Sequence, residues 1–153
     1  MSNRRLILAS SSPRRARILE SLGLRFEIHP ADVDESIFPG ESPEAAVRRL
    51  ARRKAAALHH PNAWVIAADT VVVLKSRVLG KPANRAEARS MLRDLSGRTH
   101  TVVTGVAVAW GAKVASAVDR TEVRFRRMSE REIAGYVRTG EPLDKAGAYH
   151  VEG

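Results

Sequence analysis

The chain has 153 residues, a length that fits one domain with a hydrophobic core of its own. It has no cysteine, which excludes disulfides and thiolate metal sites, and no apolar run long enough to span a bilayer. We therefore expect a cytoplasmic protein with no membrane partner. Its 26 lysine and arginine residues against 17 acidic residues give a net charge of +9, which favours phosphate-bearing ligands.

Apolar periodicity and capping residues predict strands and helices that alternate early in the chain, with a hairpin later. The predicted strands are Leu6–Ser10, Phe26–His29, Trp64–Leu74, Val78–Leu79, Thr99–Trp110 and Lys113–Arg126. The predicted helices are Pro13–Leu22, one that begins after Ser42 and ends near His59, Arg85–Leu95, and one from Ser129 to about Val137. This order predicts an α/β or α+β fold with a mixed sheet.

The first predicted helix begins in an unusual way for a basic segment. Ser12 is placed to cap it and Pro13 to occupy its first position. Arg14 and Arg15 then lie at the positive end of the helix dipole, where each cation costs about 0.3–1 kcal/mol. A serine turn and arginines at a helix N-terminus indicate an anion site, although solvated arginines on a surface helix account for the pattern equally well.

Acidic residues occur at two further positions of interest. Asp69 lies inside the most apolar predicted strand, where an ionised carboxylate needs a partner. It would either end the buried part of the strand and cap a turn, or face a cleft and bind a cation. Glu35 lies in the acidic loop DVDES; such loops are usually solvated, but with Asp69 it would form a carboxylate pair suited to Mg²⁺.

The remaining basic residues carry weaker signals. Lys81 follows a glycine in LGKP, but the spacing of a phosphate-binding P-loop is absent. The arginines are spread along the chain without interleaved aromatic residues, which disfavours a specific nucleic-acid partner. Most of the arginines, a set to which Arg48, Arg49 and Arg52 belong, are predicted to lie on solvated faces of helices and strands.

Segments distributed in order along the chain resemble the Maf-like family of nucleoside triphosphate pyrophosphatases. They are LASSSPRR (8–15), VDES (33–36), AADT (67–70), GKP (80–82), LSGRTHTVVTGVAV (95–108) and GEPLDKAGAY (140–149). The resemblance implies an α/β fold with a twisted mixed sheet, flanking helices and a cleft between two lobes. It implies hydrolysis of a nucleoside triphosphate to the monophosphate and pyrophosphate with Mg²⁺ or Mn²⁺, and it allows a homodimer.

The resemblance also implies roles for individual residues. The catalytic positions are Asp69, Glu35 and Lys81, and the metal would be held by Asp69 and Glu35. The substrate-binding positions are Ser10, Arg14, Arg15, Lys54, Thr70 and Glu152. The resemblance further implies a single Maf-like domain over residues 1–153 that lacks the family's usual C-terminal segment, so we expect an exposed sheet edge.

The identity of the base is predicted from three positions. Arg14 and Thr70 resemble the family's subgroups that prefer dTTP and UTP, whereas Glu152 resembles subgroups that prefer 7-methyl-GTP. Pyrimidine triphosphates are therefore favoured by two positions to one. The alternatives are a 7-methyl-GTP pyrophosphatase and a non-catalytic nucleotide or nucleic-acid binding protein that uses the arginine-rich surface.

Overall fold

The computed structural model describes residues 5–140 and 146–149, which form a mixed α/β fold. The strands are β1 (Arg5–Leu8), β2 (Glu27–Ile28), β3 (Ala63–Leu74), β4 (Arg77–Leu79), β5 (Thr99–Trp110) and β6 (Lys113–Arg124). The helices are α1 (Pro13–Ser21), α2 (Pro43–Ala57), α3 (Arg85–Leu95) and α4 (Glu130–Arg138), and Ala146–Ala148 form a short 3₁₀ turn.

The strands form one six-stranded sheet in the order β2-β1-β3-β5-β6, with β4 paired to β3 off this path. Strand β1 runs parallel to both β2 and β3, whereas β4 runs antiparallel to β3. Strands β5 and β6 are neighbours joined only by Gly111 and Ala112, a connection that suits an antiparallel hairpin. The predicted mixed sheet is therefore confirmed.

Each α-helix begins after a polar residue whose side chain accepts a hydrogen bond from a first-turn amide. These caps are Ser12, Ser42, Asn84 and Ser129. Ser129 and Glu132 form a reciprocal capping box. Helix α1 ends before Gly23, whose φ of 75° is a left-handed conformation that glycine adopts without steric cost. Helix α3 has the predicted bounds.

Strand β6 ends at Arg124 rather than at the predicted Arg126. Beyond Arg124 single backbone hydrogen bonds still join this segment to the residues before β5: the Phe125 amide donates to Arg98 O at 3.0 Å and the Gly97 amide to Arg126 O at 3.2 Å. Apolar alternation alone therefore overestimated the length of the strand, because Phe125 stays partly buried after the regular strand has ended.

The chain divides into two compact units, Met1–Asp69 with Thr104–Asp119, and Thr70–Val103 with Arg120–Gly153. In the first unit, α2 packs small side chains against the sheet, and α1 covers a second cluster. In the second unit, α3 and α4 supply most of the core. Each unit therefore has an apolar core of its own. Within the described residues, no helix combines the length and the apolar character needed to cross a bilayer.

The small side chains between α2 and β5 allow a close backbone approach at Gly105. A Cβ atom at this position would stand 2.4 Å from Val47 O and 2.5 Å from Val47 C. Because backbone atoms of a packed helix cannot move aside cheaply, Gly105→Ala should lower the free energy of unfolding by about 1–3 kcal/mol. Urea denaturation would measure this change.

The matched control is Gly135→Ala, on an exposed position of α4 where an added Cβ meets nothing within 4 Å. Here alanine should stabilise the protein by up to about 1 kcal/mol, because it favours the helix. Equal effects of the two substitutions would contradict the close approach.

Candidate functional site

The turn before α1 is fixed by its own serines. The Ser10 side chain is buried, and its Oγ accepts hydrogen bonds from the Ser12 amide at 3.1 Å and from Arg15 Nη1 at 3.3 Å. Ser12 Oγ in turn accepts from the Arg15 amide, and the first turn of α1 contains no acidic residue. The helix N-terminus is thus held in place with no acidic residue in its first turn, which favours an anion.

The two first-turn arginines differ in their surroundings. Arg15 reaches across to β3, where its Nη1 donates to Ala68 O at 3.1 Å. Burial lowers the pKa of Arg15, and the charge of Asp69 partly opposes that shift. Arg14 is half-buried and makes no hydrogen bond or ion pair with any other residue that the structure describes. Its guanidinium therefore keeps its hydrogen-bonding capacity for a ligand.

A buried lysine joins the acidic residues. Lys54, near the end of α2, places its Nζ 2.9 Å from Asp69 Oδ1 and 2.7 Å from Glu35 Oε1. The side chains of Lys54 and Asp69 are only 10% and 13% exposed, whereas that of Glu35 is 42% exposed. One ammonium group thus compensates two carboxylates, of which Asp69 most needs a partner because it is the more buried.

Asp69 does not end its strand. Strand β3 continues to Leu74, so the interpretation in which Asp69 caps a turn is wrong. The partner that the structure gives the Asp69 carboxylate is the Lys54 ammonium, and its binding of a metal ion in a cleft stays a prediction. Burial raises the pKa of Asp69, while the charge and hydrogen bond of Lys54 lower it and the charge of Glu35 raises it. The net shift of the Asp69 pKa is upward, because burial and the charge of Glu35 together outweigh the effect of Lys54.

This cluster offers a hard divalent cation two carboxylate ligands, those of Asp69 and Glu35. Asp69 and Glu35 converge on one position, occupied by the Lys54 ammonium. Among the described residues, no group of three histidine, cysteine or acidic side chains could hold a metal ion. Because Mg²⁺ is commonly held by one or two carboxylates plus waters and substrate phosphates, the pair fits a metal that substrate and water would complete.

The other predicted site residues lie elsewhere in the chain. Thr70 follows Asp69 in β3 but belongs to the second unit, where it is half-buried. Lys81 belongs to the same unit and is exposed, directly after Gly80, whose carbonyl accepts from the Gly147 amide at 3.1 Å. Glu152 lies outside the described residues.

The structure therefore brings together part of the predicted set in the first unit. Hydrogen bonds or ion pairs connect Ser10, Arg15, Glu35, Lys54 and Asp69 through the Ala68 carbonyl and the Lys54 ammonium. Arg14 lies on the same helical turn as Arg15.

One arginine departs from the prediction of a solvated face. Arg49 is half-buried and forms an ion pair with Glu41, whereas Arg48 and Arg52 are exposed as predicted. The only sequence signal was Glu41, an acidic residue shortly before the same helix. Spacing across a loop does not specify such a partner, so the sequence could not have identified this pair.

The chain is 53% identical over 150 residues to a dTTP/UTP pyrophosphatase of Myxococcus xanthus (strain DK1622), covering 97% of this chain and 76% of that protein. It is 51% identical over 152 residues to a dTTP/UTP pyrophosphatase of Geobacillus sp. (strain WCH70), covering 98% of this chain and 82% of that protein.

A solved structure supports the fold. The HAM1 protein of Coxiella burnetii matches with a TM-score of 0.54 at 19% identity, covering 97% of this chain and 88% of that one. At this identity the likeness concerns the fold alone. The family model described as Maf-like protein matches residues 5–153. The chain therefore belongs to the Maf-like protein family.

Proposed function

We propose that the chain is a nucleoside triphosphate pyrophosphatase that hydrolyses dTTP and UTP to the monophosphate and pyrophosphate. The observation that carries the proposal is the cluster in which Lys54 binds both Asp69 and Glu35 beside the arginine-bearing N-terminus of α1. It combines an anion-binding turn with a carboxylate that can accept a proton. The names of relatives at 53% and 51% identity supply the substrate class.

The turn before α1 would bind the triphosphate. Arg15 is already oriented by Ser10 and Ala68, so little side-chain freedom remains to be lost when a phosphate binds. Arg14, on the same turn, would add a second guanidinium, and a planar guanidinium fork matches two phosphate oxygens at once. Binding therefore uses groups whose positions are set before the substrate arrives.

Asp69 would accept the proton of the water that attacks the α-phosphorus. Its carboxylate is held through Oδ1 by Lys54, and no other described residue hydrogen-bonds to it, so Oδ2 remains for the water. Burial raises the pKa of Asp69, which makes it a better proton acceptor than an exposed aspartate. The new bond joins the water oxygen to the α-phosphorus, and the α–β bridging oxygen leaves with pyrophosphate.

A divalent cation, Mg²⁺ or Mn²⁺, would be held by Asp69 and Glu35. Such an ion lowers the pKa of a bound water and neutralises phosphate charge. Both carboxylates lie against the Lys54 ammonium, so they are close enough to each other to share one ion. The roles of Lys81 in neutralising phosphate charge, and of Thr70 and Glu152 in binding the substrate, rest on the sequence resemblance alone.

A panel of triphosphates tests the proposal. The protein would be incubated with dTTP, UTP, dCTP, GTP or 7-methyl-GTP, with Mg²⁺, with Mn²⁺ or with excess chelator, and pyrophosphate would be measured. We expect one pyrophosphate per substrate consumed, dTTP and UTP turned over at least about tenfold faster than the other substrates, and no turnover with chelator.

Two outcomes of that panel would contradict the proposal. Faster turnover of 7-methyl-GTP than of dTTP and UTP would contradict the proposed preference for pyrimidine substrates, although the proposed reaction would still hold. Absence of pyrophosphate with every substrate, together with salt-sensitive binding of DNA or RNA, would favour the non-catalytic alternative, because phosphate contacts weaken steeply as salt rises.

A further inference from the structure

The loop that carries Glu35 has little regular structure of its own. Between β2 and α2 the structure describes only a turn at residues 39–40, and no helix or strand. Glu35 nevertheless places its Oε1 2.7 Å from Lys54 Nζ although its side chain is 42% exposed. A long connection of this kind has no ladder of hydrogen bonds to set its position. Its position must therefore come from anchoring contacts with neighbouring elements.

Arg49 of α2 supplies such contacts on both sides of the turn. Its Nη2 donates to Ser36 O at 2.8 Å, one residue after Glu35. Its Nε and Nη2 donate to the two carboxylate oxygens of Glu41 at 2.7 and 2.9 Å, a bidentate pair. Its guanidinium carbon also lies 4.0 Å from the centre of the Phe38 ring. We call this set, Arg49 with Ser36, Phe38 and Glu41, the loop clasp.

The ion pair in the loop clasp is partly shielded from water. The side chains of Arg49 and Glu41 are 24% and 12% exposed, so their ion pair is screened less than a typical surface pair. Burial also leaves Arg49 Nη1 without a hydrogen-bond partner among the described residues. The loop contacts therefore use Nε and Nη2, whose fixed fork geometry matches the two oxygens of Glu41 in a way that a lysine ammonium cannot.

The loop is also stiffened internally next to Glu35. Asp34 Oδ1 accepts from the Ser36 amide at 2.9 Å and from Ser36 Oγ at 2.6 Å. The Phe38 amide donates to Glu41 Oε1 at 3.1 Å. Glu35 therefore lies within a short, hydrogen-bonded segment that Arg49 holds at Ser36, so a shift of that contact would move the Glu35 backbone as well.

We propose that Arg49 is a positioning residue, which fixes Glu35 against Lys54 by clasping the loop to the same helix that carries Lys54. This inference rests on the proposed function, since Glu35 matters to turnover only if the cluster is the active site. Arg49 itself touches neither Asp69 nor Lys54 in the contacts described above. It acts through the loop.

Arg49→Lys tests the inference in the chain of residues 1–153, because lysine keeps the charge but cannot form the bidentate fork. The control is Arg52→Lys on the same helix, where an exposed guanidinium donates a single hydrogen bond among the described residues, to Ser116 Oγ at 3.2 Å. We expect kcat for dTTP to fall about 10- to 100-fold in Arg49→Lys. We expect Arg52→Lys to stay within about twofold of the wild type.

A double substitution shows whether Arg49 acts through Glu35. In a Glu35→Gln background the correctly placed carboxylate is already lost, so adding Arg49→Lys should lower kcat by less than about threefold further. An undiminished loss in that background would overturn the inference, because Arg49 would then act independently of Glu35. An unchanged kcat in the single variant Arg49→Lys would overturn it as well.

Hydrogen exchange gives a readout that does not depend on turnover. The amides of Phe38 and Glu41 should exchange at least about tenfold faster in Arg49→Lys, while the Ala46 amide, bonded to Ser42 O within α2, should be unchanged. Unchanged exchange rates at the Phe38 and Glu41 amides would overturn the inference that Arg49 holds the loop. If wild-type protein releases no pyrophosphate from any triphosphate, the proposed function fails, and the exchange data still decide whether Arg49 holds the loop.

Discussion

Asp69→Asn should lower kcat for pyrophosphate release by about 10³-fold or more while the protein remains folded. The amide has nearly the same shape as the carboxylate, but it cannot accept the proton of the attacking water and is a poor ligand for a divalent cation. Lys54 would keep Glu35 as its partner, at 2.7 Å, so the buried ammonium would not be left without a carboxylate. Steady-state assays with dTTP, together with thermal unfolding, would separate lost chemistry from lost fold.

Asp94→Asn is the matched control for this substitution. Asp94 is also part of an ion pair, with Arg77, but it lies in α3 and belongs to the second unit. Its loss should change kcat by less than about twofold, as expected for a surface ion pair that is not part of the Lys54 cluster. Turnover in Asp69→Asn above a tenth of the wild-type value would remove Asp69 from the role of proton acceptor.

Lys54→Met should have the largest effect on stability. It removes the only ammonium described between Asp69 and Glu35, and leaves a mostly buried carboxylate without its partner. Breaking a buried ion pair in this way typically costs about 3–5 kcal/mol, and protonation of Asp69 would offset part of that cost. Urea denaturation should show the loss, and kcat should fall because Asp69 would no longer be held in its ionised form.

Two further variants make the Lys54 prediction specific. Lys113 is the exposed first residue of β6 and forms no ion pair with a residue that the structure describes. Lys113→Met should therefore leave the free energy of unfolding within about 0.5 kcal/mol of the wild type. The double variant Lys54→Met with Asp69→Asn should be more stable than Lys54→Met alone, because the buried charge is also gone. A double variant that is no more stable would show that the Lys54–Asp69 pair does not explain the loss.

Local sequence signals predicted the elements that depend on local physics. Ser12 and Pro13 located the start of α1, and Gly23 its end, since caps and left-handed residues act on their own turn. Asn84 was the one helix cap that the sequence analysis did not identify. The error at the end of β6 arose where Phe125 continues the apolar pattern after the regular strand has ended.

The candidate site could be predicted only as a set of residues. The sequence indicated an anion site at Arg14 and Arg15 and a cation partner for Asp69, but it did not show from residue types alone that this partner is Lys54. The contact between Lys54 and Asp69 joins α2 to β3, and that between Lys54 and Glu35 joins α2 to a loop. Such pairings depend on how elements pack, which no local pattern encodes.

The same reason explains why Arg49 was not identified. Its position within a basic helix predicts a solvated side chain, and its neighbours Arg48 and Arg52 are indeed exposed. Only the path of the loop, which brings Glu41 and Ser36 back to α2, makes Arg49 different. Loop paths are set by tertiary anchors rather than by sequence period.

The central claim is that water attacks the α-phosphorus of a pyrimidine triphosphate and releases intact pyrophosphate. Hydrolysis of dTTP in water enriched in ¹⁸O, followed by mass spectrometry of both products, tests it most directly. The account predicts that one labelled oxygen enters the nucleoside monophosphate and none enters pyrophosphate. Label in pyrophosphate, or release of orthophosphate and a nucleoside diphosphate instead, would contradict it.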